Sequence, residues 1–157
     1  LLAISSKIKI PFYPVPMTMQ TFIVLLIGIS FGWKLGVFTV GLYLAEGIVG
    51  LPVFAGTPEK GLGLLYFVGP TMGYLVGFLV AVFLAGFFKF GSNYFLNFLK
   101  LILGVSTIYL FGMLWLAKFT GWEKGFLVGA QPFLLAELFK ILLLTITIPK
   151  ILKFKNS

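Results

Sequence analysis

The chain has 157 residues, of which 60% are hydrophobic and 10% charged, with a mean hydropathy of +1.11. A soluble domain carries about 25% charged residues, so this chain cannot cover a water-facing surface of its size, and a soluble domain or soluble enzyme is excluded. The net charge of +8 comes from 12 lysines against 4 glutamates, but the lysines sit mostly at the ends of apolar runs, where they reach the headgroups rather than forming a basic face for nucleic acid.

The length favours a single domain over 1–157. Residues 1–10 read as the end of a span of which most is missing. Residues 7–20 read as a loop, because Pro11, Pro14 and Pro16 oppose a helix. Two apolar runs follow, at 21–33 and 35–51, separated by Lys34. At about 1.5 Å per residue they reach roughly 20 and 26 Å, short of a hydrocarbon core about 30 Å thick. A lysine at mid-membrane costs at least ~2.5 kcal/mol, so the pair is expected to be a helical hairpin turning at Lys34.

Residues 52–65 form a Gly-rich loop carrying Pro52, Pro58, Glu59 and Lys60. Gly69-Pro70 opens the next helix, with proline where its missing N–H is harmless. The expected spans are then 70–88, 95–117 and 126–148, with turns at 89–93 and 120–125. The lysine-rich tail, with Lys150, Lys153 and Lys155, places the C-terminus on the cytoplasmic side. The fold class is therefore all-α, a polytopic membrane helix bundle.

Small residues recur every four positions at Gly69, Gly73, Gly77, Ala81 and Ala85, and again at Gly28, Gly32 and Gly36. Such stripes let helices approach closely in lipid. They serve packing within the chain or docking against a partner membrane protein.

The absence of Cys, His and Asp removes disulfides, zinc sites of the usual kinds and histidine bases. Glu137 and Lys140 lie inside the last span on one helix face. Charges at this depth face a cavity or the bundle interior. They form either a stabilising ion pair or a ligand site, in which Lys140 binds an anion and Glu137 positions it or binds a polar head. A buried pair is a poor stability device by itself, which favours the site. This pair is also the sole candidate for acid–base chemistry, too little for an enzyme. Thr18, Gln20 and Thr21 either cap the first complete span or line a cavity. Tyr43 and Tyr74 stack on a flat ligand or pack. Glu46, near a helix end, is functional or merely solvated. The glycine-rich residues 56–69 lack a Gly-Lys-Ser/Thr ending and are not a P-loop, so any ATP use belongs to another subunit.

Three ordered motifs carry a resemblance. Pro14-Val15-Pro16-Met17-Thr18-Met19-Gln20-Thr21-Phe22 resembles the start of the BioY family, the biotin-binding S components of energy-coupling factor (ECF) transporters, as does Gly50-Leu51-Pro52-Val53-Phe54-Ala55-Gly56. Gly69-Pro70-Thr71-Met72-Gly73-Tyr74-Leu75 is similar to that family's Gly-Pro-Thr-Gly-Gly-Tyr-Leu signature, with Met72 in place of a glycine. Pro132-Phe133 followed by Glu137 and Lys140 resembles its Pro-Phe…Asp-x-x-Lys ending, with Glu137 in place of the aspartate.

The resemblance implies a six-span S-component fold, here with the first span truncated, in a bacterial plasma membrane. It implies capture of biotin from outside the cell, with a transmembrane coupling subunit and two cytoplasmic ATPases as partners. ATP would be used by those partners alone, and no prosthetic group is implied. Lys140 and Glu137 would anchor polar ends of the ligand. Gln20, Thr18, Thr71, Tyr43 and Tyr74 would supply further hydrogen bonds or stacking, under a lid made of residues 7–20 and 52–63. The same fold built for another vitamin, such as thiamine or riboflavin, is the alternative.

Overall fold

The computed structural model describes residues 1–10 and 14–155; Pro11, expected to oppose a helix in the loop 7–20, lies outside the described residues. A short helix α1 (Leu2–Lys7) leads into a small antiparallel pair, β1 (Lys9–Ile10) and β2 (Met17–Thr18), in which Lys9 faces Thr18. The helices that follow are α2 (Gln20–Ile48), α3 (Leu64–Phe67), α4 (Met72–Phe87), α5 (Tyr94–Thr120), α6 (Trp122–Gly129) and α7 (Leu134–Lys155).

Helix α2 is not one rod. Gly32 breaks it with φ 77° and ψ 174°, a left-handed-side conformation that glycine reaches at little cost. Gln20 and Tyr43 share a 2.6 Å hydrogen bond, although an unbroken helix at 1.5 Å per residue would hold them about 34 Å apart. The expected hairpin is therefore present, but its turn falls at Gly32 and not at Lys34. Lys34 sits exposed in the first turn of the returning arm. Glycine supplied the backbone freedom, and the lysine supplied a charge that stays at the end of the arm.

Small residues bring the helices together. A Cβ added to Gly77 would lie 2.6 Å from Ile108 Cα on α5. One added to Gly28 would lie 2.7 Å from Val82 O on α4. Gly73, Gly77, Ala81 and Ala85 are all buried, so much of the stripe is used within the chain. Asn93 caps α5 by accepting from Leu96 N at 3.1 Å. Buried Asn97 donates to Gly91 O at 2.8 Å and closes the turn before α5.

Near 130 the chain breaks again. Residues Gln131–Phe133 form one 3₁₀ turn between α6 and α7. Pro132 has no N–H to give a continuing helix and disfavours helical geometry before it, so the last expected stretch, 126–148, is divided in two. The break carries Phe133 into the core and sets the start of α7.

Among the described residues, three stretches are long and apolar enough to cross a membrane: Gln20–Ile48, Tyr94–Thr120 and Trp122–Phe154, with Met72–Phe87 a shorter apolar helix. The first of these doubles back at Gly32. Along α7, Leu135, Phe139, Leu143 and Ile146 are exposed on one flank, while Glu137, Ile141, Leu144 and Ile148 are buried on the other. Large apolar side chains outside and a packed core inside are the pattern of a multi-pass membrane protein.

Candidate functional site

The cavity forms where three local features meet. The extended residues 15–18 cross over the start of α2, the loop after α2 drops Phe54 and Ala55 beside them, and α4, α5 and α7 close the remaining sides. About 60 Å³ is free between these walls, below the ~300–1,000 Å³ usual for small-molecule sites. Phe54, Tyr66, Leu75, Phe78, Ile108 and Phe133 make most of the lining apolar. The polar groups are few: Thr18, Gln20, Thr21, Thr71, Tyr74, Tyr109 and Glu137.

Glu137 is the deepest charge and is buried. Its Oε1 accepts from Lys140 Nζ at 2.8 Å and from the Tyr109 hydroxyl at 3.3 Å. The Thr21 hydroxyl lies 2.9 Å from both carboxylate oxygens. Thr21 has one proton to give, so Oε2 holds at most a shared donor among the described residues and retains acceptor capacity.

Lys140 has three N–H donors, and each has a protein acceptor: Glu137 Oε1, Thr21 Oγ1 at 3.1 Å and Thr18 O at 2.6 Å. It does not line the cavity. It neutralises Glu137 from behind and ties α7 to the start of α2.

Gln20 and Tyr43 divide the same way. Gln20 lines the cavity, and its Nε2 donates to the Tyr43 hydroxyl, which donates in turn to Val53 O at 3.1 Å. Tyr43 stands behind the wall, edge-on to Phe54 at 5.3 Å between ring centres. Tyr74 lines the cavity while its hydroxyl donates to Gly129 O at 2.7 Å. Thr18 and Thr71 also reach the cavity. Glu46 is exposed and lies outside the lining.

Five cavity residues were not among the ligand-contacting residues expected from the sequence: Tyr109, Tyr66 and Phe78, with Phe54 and Phe133, which were quoted only as parts of motifs. Tyr109 touches Glu137 and packs edge-on against Tyr74 at 6.0 Å. A tyrosine hydroxyl in the middle of an apolar span was the available signal.

The upper wall is fastened by side chains from the N-terminal segment. Ser6 donates to Val53 O at 2.7 Å, Lys7 to Phe54 O at 2.9 Å and Thr57 O at 3.0 Å, and Lys9 to Ala55 O at 2.6 Å. From the other side, Lys60 donates to Pro14 O at 2.7 Å. A broader groove of about 610 Å³ shares Tyr109 and Glu137 with this cavity. Leu110, Met113, Phe126 and Leu138 line it, so its character is that of a bilayer-facing crevice.

The sequence model of the BioY family matches residues 1–157. The chain belongs to the BioY family. It is 37% identical to a probable biotin transporter BioY of Pyrococcus horikoshii, over 89% of this chain and 82% of that one. It is 36% identical to the biotin transporter BioY of Thermotoga maritima, over 90% and 83%. Its fold superposes on the crystal structure of the S-component for biotin from an ECF-type ABC transporter, with a TM-score of 0.82 and 28% identity, covering 97% of this chain and 85% of that one. Membership in the BioY family makes this a transporter component, not an enzyme.

Proposed function

We propose that the chain captures biotin in the membrane as the S component of an ECF-type transporter. The observation that carries the reading is the apolar cavity ending in one neutralised carboxylate, Glu137, with an oxygen still able to accept. Biotin's ureido ring presents N–H donors, its bicyclic body is apolar, and its chain ends in a carboxylate. The ring enters first. Its N–H groups meet Glu137 Oε2, and the second N–H of Gln20 Nε2 or the Thr71 hydroxyl meets its carbonyl. Phe54, Tyr66 and Phe78 cover the rings. A carboxylate placed there instead would face Glu137 with no donor left on Lys140. Lys140 and Tyr43 thus act as positioning residues, while Glu137, Gln20, Thr18, Thr71 and Tyr74 meet the ligand.

In this reading the whole chain is one transmembrane substrate-binding domain in a bacterial plasma membrane. The lid is drawn from residues 7–20, of which 11–13 lie outside the described residues, and from 52–63. A transmembrane coupling subunit and two cytoplasmic ATPases drive release into the cell, and ATP is used by them alone. Thermal unfolding of the purified protein tests the ligand. Biotin at a hundredfold excess over its Kd adds about 2.7 kcal/mol by mass action and raises Tm. Thiamine and riboflavin leave Tm unchanged. A rise with either of these and none with biotin would replace the reading by one for that vitamin.

A further inference from the structure

If the ureido ring lies at Glu137, the carboxylate of biotin points towards the mouth of the cavity, and something there must receive it. Three lysines stand near the mouth. Lys7 is committed to Phe54 O, Thr57 O and Thr57 Oγ1. Lys9 is placed differently: among the described residues its exposed ammonium makes one hydrogen bond, to the carbonyl of Ala55, and Ala55 is itself a cavity wall. That leaves two N–H donors at the rim. Lys60 holds Pro14 O, next to the lining residue Val15. It also lines a recess of about 210 Å³, whose other walls include Tyr66 and Thr71. Both of those residues line the main cavity too, so the recess and the cavity share a wall.

The two ammonium groups also feel each other. Burial, and after it the charge of Lys9, hold Lys60 below the ordinary lysine range. A carboxylate between two like charges removes that repulsion as well as accepting their hydrogen bonds.

We infer that Lys9 and Lys60 form a carboxylate-recognising pair at the cavity mouth, which makes the site selective for the free acid over uncharged biotin derivatives. The inference rests on the biotin reading above. It assigns to the two lid segments a part in specificity as well as closure.

The test compares biotin with biotinamide, which differs only by loss of the anionic end. Equilibrium binding to the full chain in lipid nanodiscs gives the ratio of the two affinities. The wild type prefers biotin by roughly tenfold, as expected for charge-assisted hydrogen bonds. The preference falls several-fold between low and molar salt, because the rim charges are screened. In Lys9→Gln/Lys60→Gln the ratio drops to within about threefold of unity, whatever common loss a looser lid imposes on both ligands. Lys9→Gln and Lys60→Gln singly each lose part of it. Equal falls for both ligands, with the ratio kept, would assign the lysines to lid closure alone and overturn the inference. So would a wild-type ratio near unity or one that salt does not move. Binding of neither compound by the wild type would overturn the biotin reading itself, and this inference with it.

Discussion

Lys140 Nζ lies 2.8 Å from Glu137 Oε1, one helical turn away on α7, and the same ammonium also donates to Thr18 O and Thr21 Oγ1. The two residues are therefore not equivalent members of a charged site. Lys140 is saturated and set back; Glu137 is held at the cavity with one oxygen less than fully used. The cation fixes the carboxylate's charge and direction, and the carboxylate faces the ligand.

Removing the cation alone should be worse than removing the pair. Lys140→Met leaves Glu137 as an uncompensated buried charge, which costs about 3–5 kcal/mol. Glu137→Gln/Lys140→Met has no buried charge and should unfold at a higher temperature than Lys140→Met. Thermal unfolding in detergent ranks the two. A single variant as stable as the double would mean the pair is solvated and not buried.

The contact between α4 and α5 depends on the absence of one carbon. In Gly77→Ala the new Cβ meets Ile108 Cα at 2.6 Å, a backbone atom that cannot rotate away. Overpacking of this kind costs about 1–3 kcal/mol. Gly41 has nothing within 4 Å of the same position, and Gly41→Ala should be neutral or slightly stabilising. Melting temperatures of the two variants, measured side by side, check the helix interface that shapes one cavity wall.

Tyr74→Phe keeps the ring at the cavity and deletes the hydroxyl that reaches Gly129 O. Interhelical hydrogen bonds in membranes average about 0.6 kcal/mol and reach about 1–2. The expected loss of stability is of that size, with a small change in biotin affinity. A tenfold loss of affinity at unchanged stability would instead put the hydroxyl on the ligand.

Tyr43→Phe tests the layer behind the wall. Gln20 Nε2 loses its 2.6 Å acceptor and gains freedom to rotate. Biotin affinity should fall several-fold, at a cost of about 1 kcal/mol for the lost bond, although Tyr43 touches no ligand. Tyr43 edge-packing on Phe54 survives in this variant, so the fold is retained. Isothermal titration with biotin measures the change.

Much of this architecture was legible in the sequence for identifiable reasons. Lys34 between two short apolar runs demanded a hairpin, and the glycine–alanine ladder from Gly69 to Ala85 demanded close helix packing. The exact turn was not legible, because a charge was the visible signal and the positive φ of Gly32 was the physical cause. Glu137 stood out as a charge within a span. Its partner's role did not, since spacing alone cannot show that Lys140 finds two further acceptors, Thr18 O and Thr21 Oγ1, far away in the chain. Tyr109 and Phe54 stayed hidden because an aromatic residue in an apolar run has the same pattern whether it faces lipid, core or ligand. Only the fold separates these cases.

The central claim, that Glu137 receives the ligand in the buried cavity, is tested most directly by equilibrium binding of radiolabelled biotin to the purified chain in nanodiscs, beside the charge-neutral Glu137→Gln/Lys140→Met variant. The wild type should bind saturably at one site, and the variant should lose at least about tenfold in affinity while still unfolding cooperatively. Equal affinity in the two proteins would contradict the claim.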